Sequence, residues 1–157
     1  MIKDSGDRKQ FESGAVRDVA EGKGRCDLLP LDVVSELLNS VVLDMIHNFV
    51  QTGDEMWLLR AAKNFGETVY LSLPSMILEV AVHFEEGCEK YGERNWEKGL
   101  PLHCYIDSGV RHYLKHLRGD DDERHDRAFV WNLLCAVWTI WNRPEMIDIA
   151  FHEEVGE

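Results

Sequence analysis

The sequence predicts an all-α protein, a bundle of five to six helices. Three observations support this: apolar residues recur at helical spacings of three and four, proline or glycine punctuates the resulting segments, and 45% of the 157 residues are apolar. No internal repeat or linker divides the chain. We therefore expect a flexible N-terminal tail over residues 1–12 and a single domain over residues 13–157.

The first half of the chain begins with a loop and continues with two predicted helices. Residues 13–29 carry glycines and alternating charges without a helical period, so we expect an irregular loop. Pro30 suits the first turn of a helix, and the apolar spacing predicts one helix from Leu31 to about Thr52. Asp54 then suits the N-cap of a helix that ends at about Phe65, before Gly66.

The second half of the chain shows clearer boundaries. Residues 67–73 fit either a strand or a turn, and residues 93–101 fit a loop. Helices are predicted over residues 74–91, 102–117 and 122–141, followed by a short helix after Pro144. Three tryptophans lie on the apolar stripe of the last long helix, where they predict core packing or a dimer interface: Trp131, Trp138 and Trp141.

Charge and cysteine usage limit the classes of function. A net charge of −12 disfavours binding to a nucleic-acid polymer or to a membrane surface. A free nucleotide remains compatible, because a cationic pocket or a metal ion can invert the local field. None of the four cysteines forms a C-x-x-C pair, and no signal peptide or membrane-spanning run is recognisable, so we expect a cytoplasmic protein with reduced thiols.

The helix over residues 74–91 carries three carboxylates within one turn of each other, Glu85, Glu86 and Glu89. Carboxylates at these spacings repel each other unless a cation lies between them. Mg²⁺ prefers oxygen ligands and usually keeps waters and substrate phosphates. The pattern therefore indicates a magnesium site, with a solvated acidic helix face as the alternative interpretation.

The later helices carry further polar candidates. Asp107 and Arg111 fit an i,i+4 ion pair, and His112 with His116 has the spacing of a weak zinc motif. At the start of the last helix, His125 and Asp126 are expected to face partly inward, although acids at this position also stabilise the helix N-terminus.

Two loops combine cations with glycines that allow close approach of a phosphate. The first contains Lys23, Gly24 and Arg25, with Arg17 upstream; the second runs over residues 94–99. Trp96 in the second loop is a candidate for stacking on a base. Neither loop has a Walker A motif, and exposed loop charge is the alternative interpretation.

Two stretches of the chain resemble the phage and bacterial family of dATP/dGTP diphosphohydrolases. The sequences that carry the resemblance are GAVRDVAEGKGRCDLLP at residues 14–30 and HFEEGCEKYGERNWEKGLPLHCYIDSGVRHYLKHLRGDDDERHDRAFVWNLL at residues 83–134. That family is similar to the MazG-like all-α nucleoside-triphosphate pyrophosphatases, whose signature is E-E-x-x-E on one helix and E-x-x-D on another. Residues 85–89 match the first half, whereas residues 123–126 match the second half only after an unusually long interval.

The resemblance implies a MazG-like fold, an oligomer, and Mg²⁺-dependent (Mn²⁺ is possible) hydrolysis of purine deoxynucleoside triphosphates to monophosphate and pyrophosphate. It implies metal ligands among five carboxylates: Glu85, Glu86, Glu89, Asp107 and Asp126. It implies catalytic roles for Glu86, Glu89, His125 and Asp126. It implies substrate contacts from Lys23, Arg25, Lys90, Arg94, Asn95, Trp96, Arg111 and His112.

Two other functions stay open from the sequence. The dipeptide His125-Asp126 with upstream His112 resembles the HD-domain phosphohydrolases, which need a further aspartate, the nearest candidate being Asp148. A non-catalytic protein that binds and sequesters nucleotides is the other alternative, because the second carboxylate motif departs from the usual spacing.

Overall fold

The structure is a computed structural model that describes residues 7–152. Within that range the chain forms a bundle of helices with one small two-stranded sheet, which confirms the all-α prediction. The helices are α1 (Leu31–Leu38), α2 (Val41–Thr52), α3 (Met56–Val69), α4 (Leu73–Tyr91), α5 (Leu102–Arg118) and α6 (His125–Asn142). Short 3₁₀ turns lie at Cys26–Leu28, Asn95–Lys98 and Pro144–Met146.

An antiparallel hairpin precedes the helices and corrects the prediction of a loose tail. Strand β1 (Arg8–Gln10) pairs with β2 (Val16–Asp18), so that Arg8 lies opposite Asp18, and their side chains form an ion pair at 2.9 Å. Both strands are polar and lack the alternation of buried residues that marks a strand in a sequence. Residues 1–6, the rest of the predicted tail, lie outside the described residues.

The single helix predicted from Leu31 to Thr52 is two helices. Asn39 adopts a left-handed conformation with φ 54° and ends α1. Ser40 then caps α2, because its hydroxyl accepts a hydrogen bond from the Leu43 amide at 3.2 Å and bonds the Tyr113 hydroxyl at 2.6 Å. The apolar period continues across the break, which is why spacing alone did not reveal it.

The predicted ends of two other helices also shift. Helix α3 continues through Gly66 to Val69, so Gly66 does not end the helix. The glycine instead allows α3 to pack closely on α4, since a Cβ at Gly66 would lie 2.5 Å from the sulfur of Met76. The predicted start of the last helix at residue 122 moves to His125.

The apolar core lies where α5 and α6 pack along each other, with α2, α3 and α4 around them. Phe129 is fully buried and makes edge contacts with Phe65, and Tyr105 is fully buried on α5. Trp131 and Trp138 are half-buried, whereas Trp141 is 59% exposed and donates a hydrogen bond to Glu55. Among residues 7–152 no single helix has the length and apolar composition to cross a membrane, although α3 and α4, bent by 104° at their junction, meet both criteria as a pair.

Candidate functional site

A cavity of about 760 Å³ lies between the hairpin and the faces of α4, α5 and α6. Its volume is in the range of pockets that enclose small molecules. The N-terminal side, here called the cover, consists of the hairpin and residues 19–25. Cations outnumber acids along the lining, in contrast to the acidic protein as a whole; the basic side chains are Lys9, Arg17, Lys23, Arg25, Arg111 and Lys115.

Arg17 on β2 is the most informative of these cations. Its Nη2 donates a hydrogen bond to Oδ1 of Asn132 at 3.0 Å, and its guanidinium lies 5.4 Å from the ring centre of Tyr105. Its Nη1 is buried without a hydrogen-bond partner, and no carboxylate of residues 7–152 forms an ion pair with it. A desolvated cation without a counter-charge is costly, so this position favours an anionic ligand. Arg17 was not among the predicted substrate contacts, although it lies upstream of the first predicted phosphate loop.

Asp107 and Arg111 attach the cover to α5. The buried Asp107 carboxylate accepts a hydrogen bond from the Cys26 amide at 2.6 Å, and both its oxygens lie 2.7 Å from Nη2 of Arg111. The same nitrogen donates to the Gly24 carbonyl at 2.5 Å. The predicted ion pair therefore forms, and the Asp107 oxygens, which were also predicted as metal ligands, accept these hydrogen bonds.

Two lysines add positive charge to the cavity. Lys23 lies in the cover and Lys115 on the last turn of α5, and neither forms an ion pair with another described residue. Desolvation lowers the pKa of Lys23, and the nearby charges of Arg111 and Lys115 lower it further against the opposing effect of Asp18. Lys23 therefore lies close enough to Arg111 and Lys115 to form one cluster of positive charge with them.

Two histidines and a glutamate meet beside these cations. Nδ1 of His112 on α5 lies 2.9 Å from Nδ1 of His125, the first residue of α6. Oε1 of Glu123 lies 3.5 Å from Nδ1 of His112 and 3.8 Å from Nδ1 of His125. His112 and Glu123 line the cavity. Burial lowers the pKa of His112 well below its usual range, and the neighbouring His125 lowers it further, so that the imidazole of His112 is neutral at pH 7.

An aromatic wall borders the cavity on α4 and α6. His83 is 8% exposed, and its ring centre lies 5.7 Å from that of Trp131. Its Nδ1 is buried without a hydrogen-bond partner. Burial, assisted by the charge of Arg127, lowers the pKa of His83 to about 4. The wall therefore offers an apolar face and one neutral imidazole.

The predicted carboxylate motif on α4 does not line the cavity. Glu85 and Glu89 are exposed, and Glu86 lies 3.4 Å from Nη2 of Arg127. The residues of α4 that reach the lining are instead His83, Gly87 and Tyr91, which lie one helical turn apart on a neighbouring face. Lys90, a predicted phosphate contact, forms an ion pair with Asp18 at 2.8 Å.

His125 and Asp126 point into different surroundings. The Asp126 carboxylate accepts hydrogen bonds from Arg124 at 2.9 Å and from the Tyr70 hydroxyl at 2.8 Å. Burial raises the pKa of Asp126, but these hydrogen bonds outweigh it and bring the pKa to about 2. His116 packs on Phe65 rather than beside His112, and Asp148 binds His103. The structure therefore joins neither the predicted HD dipeptide nor the His112–His116 pair into one site.

The second predicted phosphate loop has a structural role. Asn95 accepts a hydrogen bond from the Val16 amide and donates one to the Val16 carbonyl, both at 2.8 Å, and thereby extends the edge of the hairpin. Trp96 packs between Phe84 and Trp138. Arg94 is exposed and pairs with Glu97 at 2.6 Å.

Of the fourteen predicted site residues, the cavity lining includes six: Lys23, Arg25, Asn95, Asp107, Arg111 and His112. His125 contacts the lining through His112. Arg25 lies at the exposed rim, where it pairs with Asp27 at 2.7 Å. Sequence reasoning did not name Arg17, Lys115 or Glu123 as site residues. Arg17 was noted only as lying upstream of the first phosphate loop and Glu123 only as part of the second carboxylate motif, and the only signal for Lys115 was its charge.

One comparison with known proteins gives a match. A family model described as dATP/dGTP diphosphohydrolase, N-terminal, matches residues 60–149, more than half of the chain. Neither the curated proteins nor the solved structures give a significant match. The matched segment contains α4, α5 and α6 with their cavity-lining residues, whereas the cover precedes it.

Proposed function

This chain belongs to the dATP/dGTP diphosphohydrolase N-terminal family, and from that premise we propose that it hydrolyses a purine deoxynucleoside triphosphate to the monophosphate and pyrophosphate. The observation that carries the proposal is the guanidinium of Arg17, whose Nη1 is buried without a hydrogen-bond partner and which forms no ion pair among residues 7–152, in a cavity of about 760 Å³. A triphosphate supplies the negative charge that this cation lacks, and the cavity has the volume for a nucleotide.

The cations of the cavity support binding of the triphosphate from two sides. Arg17 and Lys23 approach from the cover, and Arg111 and Lys115 from α5. Arginine presents planar donors that match phosphate oxygens, whereas lysine acts as a point charge. Together they would hold a polyanion that the remaining surface, with its net negative charge, repels.

The aromatic wall supports recognition of the nucleoside. Trp131 offers a face for packing against a base or a sugar. His83 beside it stays neutral, so its unpartnered Nδ1 can accept or donate a hydrogen bond according to tautomer. A neutral polar group next to an aromatic surface suits a base edge better than a phosphate.

The reaction proposed here is a single displacement at the α-phosphorus. A water oxygen forms the new P–O bond, the bond to the α,β-bridging oxygen breaks, and pyrophosphate leaves with the electron pair while the proton of the attacking water passes to bulk solvent. The guanidinium and ammonium groups stabilise the charge that accumulates on the leaving group. Because hydrogen bonds hold Arg17 and Arg111 in place before substrate arrives, little reorganisation of these two side chains is required during the reaction.

Dependence on Mg²⁺, with Mn²⁺ as the alternative, stays part of the proposal. The five carboxylates predicted as ligands do not meet, since Asp107 binds Arg111, Asp126 binds Arg124, and the three glutamates of α4 lie outside the cavity lining. A magnesium ion in this cavity would therefore be held largely by triphosphate oxygens and waters, which is its usual mode in nucleotide sites. When bound, such an ion would supply further neutralisation of phosphate charge.

A product assay tests the proposal. Purified protein is incubated with each common ribo- and deoxynucleoside triphosphate and Mg²⁺ or Mn²⁺, and products are separated by ion-exchange chromatography. We expect monophosphate and pyrophosphate in equal amounts from dATP or dGTP. Release of inorganic triphosphate would instead indicate HD-type chemistry, and nucleotide binding without turnover would indicate sequestration.

Two arginine variants sharpen that assay. Arg17→Gln should lower kcat/KM by about 100-fold or more, in the range measured for loss of a buried oxyanion donor. Arg94→Gln is the matched control, since that residue is exposed and pairs with Glu97 outside the cavity, and it should change kcat/KM by less than about threefold. If both variants changed kcat/KM equally, the assignment of Arg17 to triphosphate binding would be contradicted.

An oligomer, the predicted assembly, is also part of the proposal. Apolar side chains of α1 and α4 are exposed, among them Leu37 at 81% and Leu78 at 71%. Such exposure suits an interface with a second copy of the chain. Light scattering coupled to size-exclusion chromatography tests it, and a monomer at micromolar concentration would contradict it. Cytoplasmic location remains a prediction from the cysteine usage and the sequence pattern, and the absence of a nucleic-acid or membrane partner remains a prediction from the net charge.

A further inference from the structure

The meeting point of His112, His125 and Glu123 has the chemistry of a metal site. We propose that these three residues bind one transition-metal ion, such as Zn²⁺, Mn²⁺ or Co²⁺, beside the phosphate-binding cations. The two Nδ1 atoms lie 2.9 Å apart, and Oε1 of Glu123 lies 3.5 Å and 3.8 Å from them. Donor atoms bound to one tetrahedral zinc ion are roughly 3.3 Å apart, given bonds of about 2.0–2.2 Å.

The orientation of His125 is set by a carboxylate behind it. Oδ1 of Asp122 lies 2.7 Å from Nε2 of His125, whose side chain is 1% exposed. An acceptor at Nε2 holds the proton there and leaves the Nδ1 lone pair directed toward His112 and Glu123. A carboxylate that orients a metal-binding histidine in this way is a recurrent feature of metal sites.

A plain hydrogen bond between the two histidines is the alternative. It requires His112 to carry its proton on Nδ1 and donate it to His125. That arrangement joins two side chains, whereas a metal ion also accounts for the position of Glu123 Oε1, 3.5 Å from Nδ1 of His112 and 3.8 Å from Nδ1 of His125.

Asp120 and Asp122 form a second possible group around Nε2 of His125. The Asp120 carboxylate is already engaged by the guanidinium of Arg118 through two hydrogen bonds, and Asp122 is 42% exposed. The group that includes His112 and Glu123 is therefore the better site, and Asp120 supplies a control.

The ligand set selects the ion. Two imidazole nitrogens with one carboxylate favour borderline transition metals over Mg²⁺, which prefers oxygen ligands only. Three protein ligands leave a coordination position open, as in catalytic rather than structural sites. Because His112 and Glu123 line the cavity, that position faces the space assigned to the triphosphate, and this catalytic placement rests on the proposed function.

Metal binding is measured without nucleotide, so that it is separate from catalysis. Untagged protein is stripped with a chelator, dialysed, and titrated with Co²⁺, followed by absorption between about 500 and 650 nm, and with Zn²⁺, Mn²⁺ and Mg²⁺ by calorimetry. We expect one equivalent of Co²⁺ or Zn²⁺ to bind more tightly than Mg²⁺. His112→Gln and Glu123→Gln should each weaken binding at least tenfold, and Asp122→Asn about 10–100-fold.

Asp120→Asn is the matched control and should leave metal affinity within about twofold. Circular dichroism checks that each variant folds, and if His112→Gln does not fold, Glu123→Gln still tests the site. Absence of stoichiometric binding to the folded protein, or binding that survives both His112→Gln and Glu123→Gln, would overturn the proposal. Metal binding without nucleotide hydrolysis would refute only the proposed function, whereas hydrolysis with no bound transition metal would refute only the metal site.

Discussion

The two sides of the cavity are held in place by different forces. The helical side, made of α4, α5 and α6, is continuous with the apolar core and contains fully buried residues such as Tyr105 and Phe129. The cover has one fully buried apolar residue, Ala15, and is attached mainly through polar contacts. Those contacts join Asn95 to Val16, Asp107 to the Cys26 amide and Lys90 to Asp18.

Because the two sides are held by different forces, one side mainly determines the stability of the fold and the other mainly determines the geometry of the binding site. Burial of apolar surface stabilises the helical side without directing any side chain precisely, because the hydrophobic effect is non-directional. Hydrogen bonds place the cover with defined geometry but contribute little net free energy each. The cover supplies Arg17 and Lys23, so loss of its attachment should affect the site more than the fold.

The largest expected effect is on the helical side. Phe129→Ala removes a fully buried ring that contacts Phe65 and Tyr113, and it should lower the free energy of unfolding by about 3–5 kcal/mol. Leu71→Ala, at a fully exposed position between α3 and α4, is the control and should cost less than about 0.5 kcal/mol. Denaturation in urea measures both, and similar values would contradict the assignment of the core to this side.

Low pH should also lower the free energy of unfolding of the helical side, because His83 is held neutral there by burial. Its pKa is about 4 in the folded protein and about 6.5 in the unfolded chain, so the unfolded chain binds more protons between these values. Stability should therefore fall as the pH drops from about 6.5 to about 4, by up to about 3 kcal/mol from this residue. Arg127 acts in the same direction, whereas Glu86 opposes it.

His83→Gln removes that contribution, so its free energy of unfolding should change less between pH 7 and pH 4.5 than that of the unmodified protein. His152→Gln, at an exposed position, should keep the full dependence. Identical pH profiles for His83→Gln and the unmodified protein would show that burial of His83 does not penalise its charged form.

A smaller and local effect is expected at the attachment of the cover. Asn95→Ala removes both hydrogen bonds to Val16 and should cost about 1–3 kcal/mol. Amide hydrogen exchange measures where this loss occurs: protection should fall at residues 16–18 and stay unchanged at the core of α5 and α6. Asn142→Ala, which removes an exposed bond to the Trp138 carbonyl, should alter neither region. A loss of protection spread evenly over the chain would show that the two sides unfold together.

The smallest expected effect concerns the two lysines of the cavity. Lys23→Gln on the cover and Lys115→Gln on α5 should each weaken binding of a non-hydrolysable purine deoxynucleotide analogue by up to about fivefold, because partly exposed charges contribute about 0–1 kcal/mol. Calorimetry at low and at physiological salt measures this, with Lys63→Gln as a control outside the cavity. If Lys23→Gln had no effect while Lys115→Gln weakened binding, the positive charge of Lys23 on the cover would not contribute to nucleotide binding.

The helical part of the fold was predictable because its signals are local. Gly92 and Gly119 end α4 and α5 where the sequence indicated, and the apolar period marks the helices themselves. The break at Asn39 and Ser40 was missed because it depends partly on a bond to Tyr113, 73 residues away. The hairpin was missed because its strands are polar and are held by residues distant in the chain, such as Asn95.

The composition of the candidate site was only partly predictable. Charge and helical spacing identified Arg111, His112 and His125 as candidates, and the family match agrees with the resemblance seen in the sequence. The same reasoning selected Glu85, Glu86 and Glu89, because their spacing places them together but does not specify which face of α4 meets the cavity.

By itself, the sequence determined the helical class and the excess of negative charge, since these follow from local periodicity and composition, and its resemblance to a known family indicated the family that the family model matches. The tertiary structure decided which charged and polar groups lie together: it buried Nη1 of Arg17 without a partner, joined Asp107 to the Cys26 amide, and brought Glu123 to His112 and His125. The physical reason is that desolvation and charge pairing depend on distances between segments far apart in the chain, and residue spacing along one helix does not encode those distances.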